Sequence, residues 1–265
     1  MKDNLILSFK VKNTVVGGFI MNYEQLAERF ANTHTVNYHI LFEIISYFSP
    51  KSKISVLDFG CGSGNYMKAI CTYTNYNVYG VEPCEEMIMY ARKQNPNTTI
   101  KSGNHQSIPY PDDFFEYVYM TNVVHQISDV SIMYKEIYRV LKPNGILCIC
   151  TENRRQLLSK YWIKYFPSII IKDLQRFPTI SKLKKLAKSQ KFITLKTTFV
   201  GEKKWCHITN FLLLQILERS MSVLNLISDN EYETGTQKIL RAYKKGTVHF
   251  SNRGYTFLWL KKYGG

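Results

Sequence analysis

Residues 56–66 read VLDFGCGSGNY, an apolar strand-like run closed by Asp58, then glycine at positions 60, 62 and 64, then a helix-forming sequence. A strand that passes through a glycine-rich turn straight into a helix is the first half of a βαβ unit. Such units bury a parallel sheet between helices on both faces. The following sequence keeps the alternation. Helix NYMKAICTYT leads to strand VYGVE, helix EEMIMYARKQ, a short strand near TTIKSG, strand EYVYMTNVV, helix VSIMYKEIYRVL and strand GILCICT. The pattern predicts a Rossmann-like α/β fold, a seven-stranded, mostly parallel sheet with helices on both faces.

The flanking segments read differently. MNYEQLAERFAN, from Met21, has Leu26, Ala27 and Phe30 at helical spacing, and YHILFEIISYF reads as a helix that stops before Pro50. After Thr151 the strand–helix beat loosens. NRRQLLSKYWIKYFPSIIIKDLQRF is an irregular helical excursion, ISKLKKLAKSQ a basic helix, and FITLKTTFV a strand. A helical stretch from Ile208 to Lys245 then precedes a last strand, YTFLWLKK. This predicts one domain over 21–265, with its core in 54–151 and a helical lid formed by two insertions, 152–180 and 203–250. Residues 1–20 lack helical period and read as an N-terminal extension.

Composition narrows the function. A length of 265 residues accommodates one substantial core. The longest apolar helical run, ITNFLLLQIL, is half of the roughly 20 residues that cross a bilayer. Six cysteines form no CxxC pair, so neither a zinc knuckle nor a disulfide framework is indicated and no metal site is expected. With no secretory signal, a cytoplasmic location is the expectation. The net charge of +15 is uneven: residues 1–150 carry 13 Lys and Arg against 13 Asp and Glu, residues 151–265 carry 22 against 7. A basic half beyond the sheet motifs points to an anionic partner: a phosphorylated or carboxylated metabolite, an acidic peptide, RNA or an anionic membrane surface. Lys184, Lys188 and Lys191 share one face of the basic helix. Arg219, in the second insertion, is the candidate contact for an anionic acceptor.

The glycine spacing separates two nucleotide cofactors. A dinucleotide fingerprint is GxGxxG, whereas here it is GxGxG, preceded by an aspartate that would repel a pyrophosphate and suit a cationic amino group. Glu82 ends the next strand, eighteen residues after Gly64, where a carboxylate can accept both hydroxyls of a ribose. VLDFGCGSGNY, VYGVEPCEEMIMYAR, SGNHQSIPYPDDFFEYVYMTNVVHQISD and EIYRVLKPNGILCI, in that order, resemble the motifs of class I S-adenosylmethionine-dependent methyltransferases. The likeness is to their small-molecule, quinone-biosynthesis-like group, and MNYEQLAERFA resembles the usual opening of such chains. The resemblance implies S-adenosyl-L-methionine as cofactor. It implies contacts from Tyr23, Asp58, Gly60, Cys61, Gly62, Gly64, Glu82, Pro83, Met87, Asn104, His105 and Asn122.

Two departures qualify the carry-over. Asn104 stands where relatives often have an acidic residue near the adenine, and His125–Gln126 replace a pair of histidines. The fourth strand also lacks an Asn-Pro-Pro-aromatic tetrad, which argues against that route to nitrogen methylation. His125, at the end of the fourth strand, is the candidate base for an acceptor that must lose a proton. The expected function is methyl transfer to a small, anionic molecule. RNA methylation and a catalytically silent, cofactor-binding protein are the alternatives; no dedicated RNA-binding module is visible.

Overall fold

The computed structural model describes residues 14–16, 19–21, 34–201, 204–207, 209–246, 249–252 and 254–264. Seven strands form the central sheet: β1 (Ser55–Phe59), β2 (Asn77–Glu82), β3 (Thr99–Ser102), β4 (Phe115–Thr121), β5 (Leu141–Thr151), β6 (Phe192–Val200) and β7 (Tyr255–Lys262). Their order is β3-β2-β1-β4-β5-β7-β6. The first five pair in parallel, while β7 runs antiparallel to both β5 and β6. The mostly parallel sheet expected from the alternation is therefore present.

The inner strands carry apolar side chains at almost every position because both faces are covered. Along β7, Leu258 and Leu260 enter one core, and Phe257 and Trp259 enter the other. The first core is closed by α4 (Val130–Val140), through Met133 and Ile137, and by α7 (Ile180–Ser189), through Leu183 and Ala187. On the opposite face lie α1 (Tyr38–Ile45), α2 (Asn65–Tyr73) and α3 (Glu85–Gln94), which contribute Ile40, Leu41, Ile44, Met67, Ile70, Ile88 and Ala91. Trp259 stacks with Tyr47 and with Tyr117, and Lys196 lies over its ring.

Polar contacts set the turns that link these layers. Arg139 donates to the carbonyls of Ile108 and Tyr110, to Asp112 and to Glu136, and so clamps the Pro109–Asp112 turn. Lys262, nearly buried, donates to Asp113 and to the Leu141 carbonyl at 2.6 Å each. That pairing ties the end of β7 to the loop before β4.

Over the carboxyl ends of the strands sits a separate cap. Its first part comprises α5 (Arg154–Leu157), a 3-10 turn (Tyr161–Lys164) and α6 (Ser168–Arg176). The second comprises α8 (Asn210–Leu217), a 3-10 turn (Ser222–Leu226) and α9 (Asp229–Lys244). Tyr161, Phe166 and Ile169 from the first pack with Leu213, Ile216, Val223, Leu224, Ile227 and Ile239 from the second. The helical stretch expected from Ile208 to Lys245 contains two helices with a 3-10 turn between them, and EYVYMTNVV ends as strand at Thr121. Thr14–Val16 and Phe19–Met21 form a short antiparallel hairpin, and Phe19–Met21 lies against Ser222–Leu226. The remaining residues of 1–33, including Leu26, Ala27 and Phe30, lie outside the described residues.

α9 approaches the first part of the cap at Gly235, where an added Cβ would lie 2.3 Å from the ring of fully buried Phe166 and 2.6 Å from the Tyr165 carbonyl. Alanine would improve helix propensity by about 1 kcal/mol. Overpacking against a ring and a carbonyl costs about 1–3 kcal/mol. Gly235→Ala should therefore lower the melting temperature by a few degrees, measured by calorimetry; an unchanged or higher value would show that the two halves are not packed this closely.

Candidate active site

The loop after β1 takes its shape from three glycines with φ of +76° at Gly60, +52° at Gly62 and +80° at Gly64. Side chains avoid that region, and at Gly60 a Cβ would also lie 2.6 Å from Val123. The loop is held down by the Val81 carbonyl, which accepts from the amides of Gly60 at 2.8 Å and Cys61 at 3.1 Å. Gly64 opens α2 with no side-chain cap. The first-turn amides therefore stay free for a ligand or water.

Two carboxylates lie under and beside this loop. Asp58, 1% exposed, sits at the end of β1 in register with Tyr119 of β4, and its Oδ1 has no partner among the described residues. Burial pushes its carboxyl up to about 7, against the pull of the Tyr119 hydroxyl, and the negative field of Glu82 adds to the rise. Glu82, at the tip of β2, accepts from the amides of Gly62 at 3.0 Å and Cys84 at 3.2 Å. These two bonds favour the charged form, yet burial outweighs them and lifts this group to about 7 as well.

A cavity of about 800 Å³ begins at the loop and runs under the cap. Gly60, Cys61, Gly62, Glu82, Pro83, Met87, Asn104, His105, Asn122 and His125 all line it, so most of the expected cofactor and catalytic positions converge there. Asp58 and Gly64 stand behind the lining, and Tyr23 lies outside the described residues. Asn122, at φ +56°, follows β4 and presents a buried Oδ1 without a partner among the described residues. Asn104 turns its Oδ1 to the Gln106 amide, and His105 shares a 3.0 Å hydrogen bond with Ser128. Taken together, a side-chain-free cradle, an uncapped helix start and a buried carboxylate at the next strand tip fit S-adenosylmethionine.

His125 is buried on a 3-10 turn and stacks on Phe177 with ring centres 4.2 Å apart. Burial, with the nearby charges of Arg176 and Lys160, holds its basicity well below that of a free imidazole. It is therefore neutral at physiological pH, and its Nδ1 has no partner among the described residues. Arg219 does not line the cavity. Its guanidinium donates to the carbonyls of Leu224 and Ile227 and to Asp229, and it covers the Tyr232 ring, which braces the turn between α8 and α9.

The cavity wall includes residues that sequence reading passed over: Glu152, Lys160, Asp173, Arg176 and Phe177, all from the first part of the cap. A signal for two of them was present. On α6 the buried stripe is Ile169, Asp173 and Arg176, so two charges occupy the face expected to be apolar. Lys184, Lys188 and Lys191 instead line a shallow groove with Lys185, Phe192, Ile193 and Tyr263. Among the described residues, no group of three His, Cys, Asp or Glu side chains is placed to hold a metal ion, and no helix is long and apolar enough to cross a membrane.

The two raised carboxyls give a stability signature in the absence of ligand. In the unfolded chain they ionise near their ordinary values of 3.8 and 4.5, in the folded chain near 7. The folded form therefore holds more protons in between, and its stability falls as pH rises from about 4.5 to about 7. The combined loss should be on the order of a few kcal/mol. An Asp58→Asn/Glu82→Gln variant should lose this part of the slope in chemical denaturation from pH 5 to 8. Parallel curves for the two proteins would refute the burial of these charges.

Residues 57–149 match the family model described as a methyltransferase domain. Over 102 residues the chain is 32% identical to sterol 24-C-methyltransferase erg6 of Aspergillus fumigatus, an alignment that covers 36% of this chain and 27% of that protein. It is 27% identical over 163 residues to demethylmenaquinone methyltransferase of Symbiobacterium thermophilum, covering 56% of this chain and 64% of that protein. The chain thus spans less than two thirds of the length of either relative. Among solved structures, the YcgJ protein of Bacillus subtilis shares the fold with a TM-score of 0.60 at 17% identity, covering 86% of this chain and 100% of that one. The family match falls on the five parallel strands that carry the glycine loop and Glu82, and over these residues the chain is similar to methyltransferase domains.

Proposed function

We propose that this protein transfers a methyl group from S-adenosylmethionine to a small, anionic acceptor. The observation that carries this reading is the single cavity that joins the glycine loop and Glu82 to His125 and the charged wall of the cap. A volume of about 800 Å³ is of the size that holds a cofactor with a small molecule beside it. The relatives named above act on a sterol and on a demethylmenaquinone, which supports a small-molecule acceptor. The basic excess beyond residue 150 supports its negative charge.

The cofactor supplies a methyl group on a sulfonium, activated for in-line displacement. The protein's part is alignment and exclusion of water. Glu82 would take the ribose hydroxyls, while the loop amides and Asn122 would hold polar groups close to the glycines. Asp58, behind the loop, would supply a negative field for the amino group. The cap, with Leu212, Met221 and Val223 on the cavity wall, would shut water out. Where the acceptor loses a proton from oxygen, neutral His125 would receive it at Nδ1.

Two measurements test this reading. Ionised Glu82 is the stronger acceptor, so S-adenosylmethionine affinity should rise between pH 6 and 8 in calorimetry. Glu82→Gln should bind at least about tenfold more weakly, with a shallower profile that keeps only the part due to Asp58. Tight NAD binding without a response to S-adenosylmethionine would overturn the assignment.

The second measurement is transfer of labelled methyl to metabolite pools and to total RNA across a salt series. A small acid held by one or two cations should keep turnover at physiological salt, whereas RNA contacts would lower it by orders of magnitude. Activity on RNA with that steep loss would replace the small-molecule reading.

A further inference from the structure

The far wall of the cavity is a charge network drawn from outside the matched domain. Lys160 Nζ lies 2.7 Å from Glu152 Oε2 and 3.1 Å from Asp173 Oδ2, and Arg176 donates to Asp173 Oδ1 at 2.9 Å. The side chains of Asp173 and Arg176 are only 1% and 2% exposed. Burying two such pairs costs several kcal/mol per ion, and apolar residues of similar size often give a more stable protein. Stability alone is thus a poor reason for four charges beside the cavity.

The hydrogen-bond inventory shows which kind of group is missing. Both oxygens of Asp173 are engaged, and Lys160 occupies one oxygen of Glu152. Arg176 has five N–H donors. One goes to Asp173 and another makes a long 3.4 Å contact with Ser222, while Nε has no partner among the described residues. Trp162 Nε1, on the same wall, is also without one. The buried atoms left without a partner in this corner, Arg176 Nε and Trp162 Nε1, are both donors, so the ligand group that fits them is an acceptor of hydrogen bonds.

We propose that Arg176 and Lys160 form a subsite for a compact oxyanion, a carboxylate or a phosphate monoester, carried by the methyl acceptor. A planar guanidinium and an ammonium side by side match such a group in geometry and charge. The cationic side of the network is the one felt at His125, since Arg176 and Lys160 are the charges that depress it. An oxyanion in this corner lies near His125 and the Phe177 ring, which stack on each other with Lys160 over Phe177. Arg176 and Lys160 are in this sense specificity residues. The inference rests on the methyltransferase reading above.

The test uses the whole protein saturated with S-adenosylhomocysteine, titrated by calorimetry with benzoate, phenyl phosphate and neutral benzamide. At least one of the two anions should bind tenfold or more tightly than benzamide, and the anion preferred identifies the group as carboxylate or phosphate. Asp173→Asn/Arg176→Gln keeps the net charge and should bring that preference below threefold with S-adenosylhomocysteine affinity unchanged. Arg176→Lys keeps the pairing with Asp173 but loses the fork, so it should weaken the preferred anion severalfold even if the double variant does not fold. Equal binding of benzamide, or full preference retained in these variants, overturns the subsite and leaves the methyltransferase reading intact. Failure of the wild-type protein to bind S-adenosylhomocysteine overturns both.

Discussion

Burial of negative charge at the tips of two adjacent parallel strands is the constraint around which the rest of the structure is arranged. Asp58 and Glu82 sit where β1 and β2 end, in a setting that disfavours their ionised forms. A fold optimised only for stability would not place them there. The loop between them gives the Gly62 amide to Glu82, and it takes the shape that allows this from glycines with positive φ. The sheet must also be parallel at this point, since only then do both strand ends open on the same edge.

The cap extends that edge into an enclosed space with a core of its own. Its two parts are distant in sequence and meet through Phe166, Ile216, Leu224 and Ile239, so that helices on either side of β6 form one unit. The polar wall it lends the cavity differs in kind from the floor. The floor offers amides and carboxylates from the sheet, and the wall offers a balanced set of ammonium, guanidinium and carboxylate groups. On the proposed reading, cofactor recognition stays with the sheet and acceptor choice can vary with the cap.

Much of the sheet and the cofactor end was legible in the sequence because local rules dominate there. Glycine at 60, 62 and 64 reports φ directly, and an acidic residue ending the second strand can be counted out from Gly64. YTFLWLKK reads as a strand because both of its faces are buried, as Tyr255–Lys262 proves to be. The cap was less legible, since its order comes from contacts between remote segments. Nothing near Arg219 in sequence reveals that the Leu224 and Ile227 carbonyls and Asp229 will engage its guanidinium. Lys160 is similar: it gains meaning only when Glu152 and Asp173 close on it. Asp173 and Arg176 did leave a trace, as two charges on an otherwise apolar stripe, but the stripe's partner was not knowable from α6 alone.

The placement of β7 between β5 and β6 has a consequence for how the chain reaches this state. β6 hydrogen-bonds to no strand of the sheet except β7, which follows it only after the whole second part of the cap. Until that later segment arrives, β6 has an unpaired backbone on both sides and the outer flank of β5 is open. Assembly of this end of the sheet is therefore a late, non-local event, slowed by the loop that must first be closed. During that interval Ile193, Leu195 and Phe199, which remain exposed even in the finished molecule, belong to a free strand able to pair with another chain. The lysines of the preceding helix, with Lys191 and Lys196, place positive charge along this strand, and like charge opposes its pairing with the same strand of another copy.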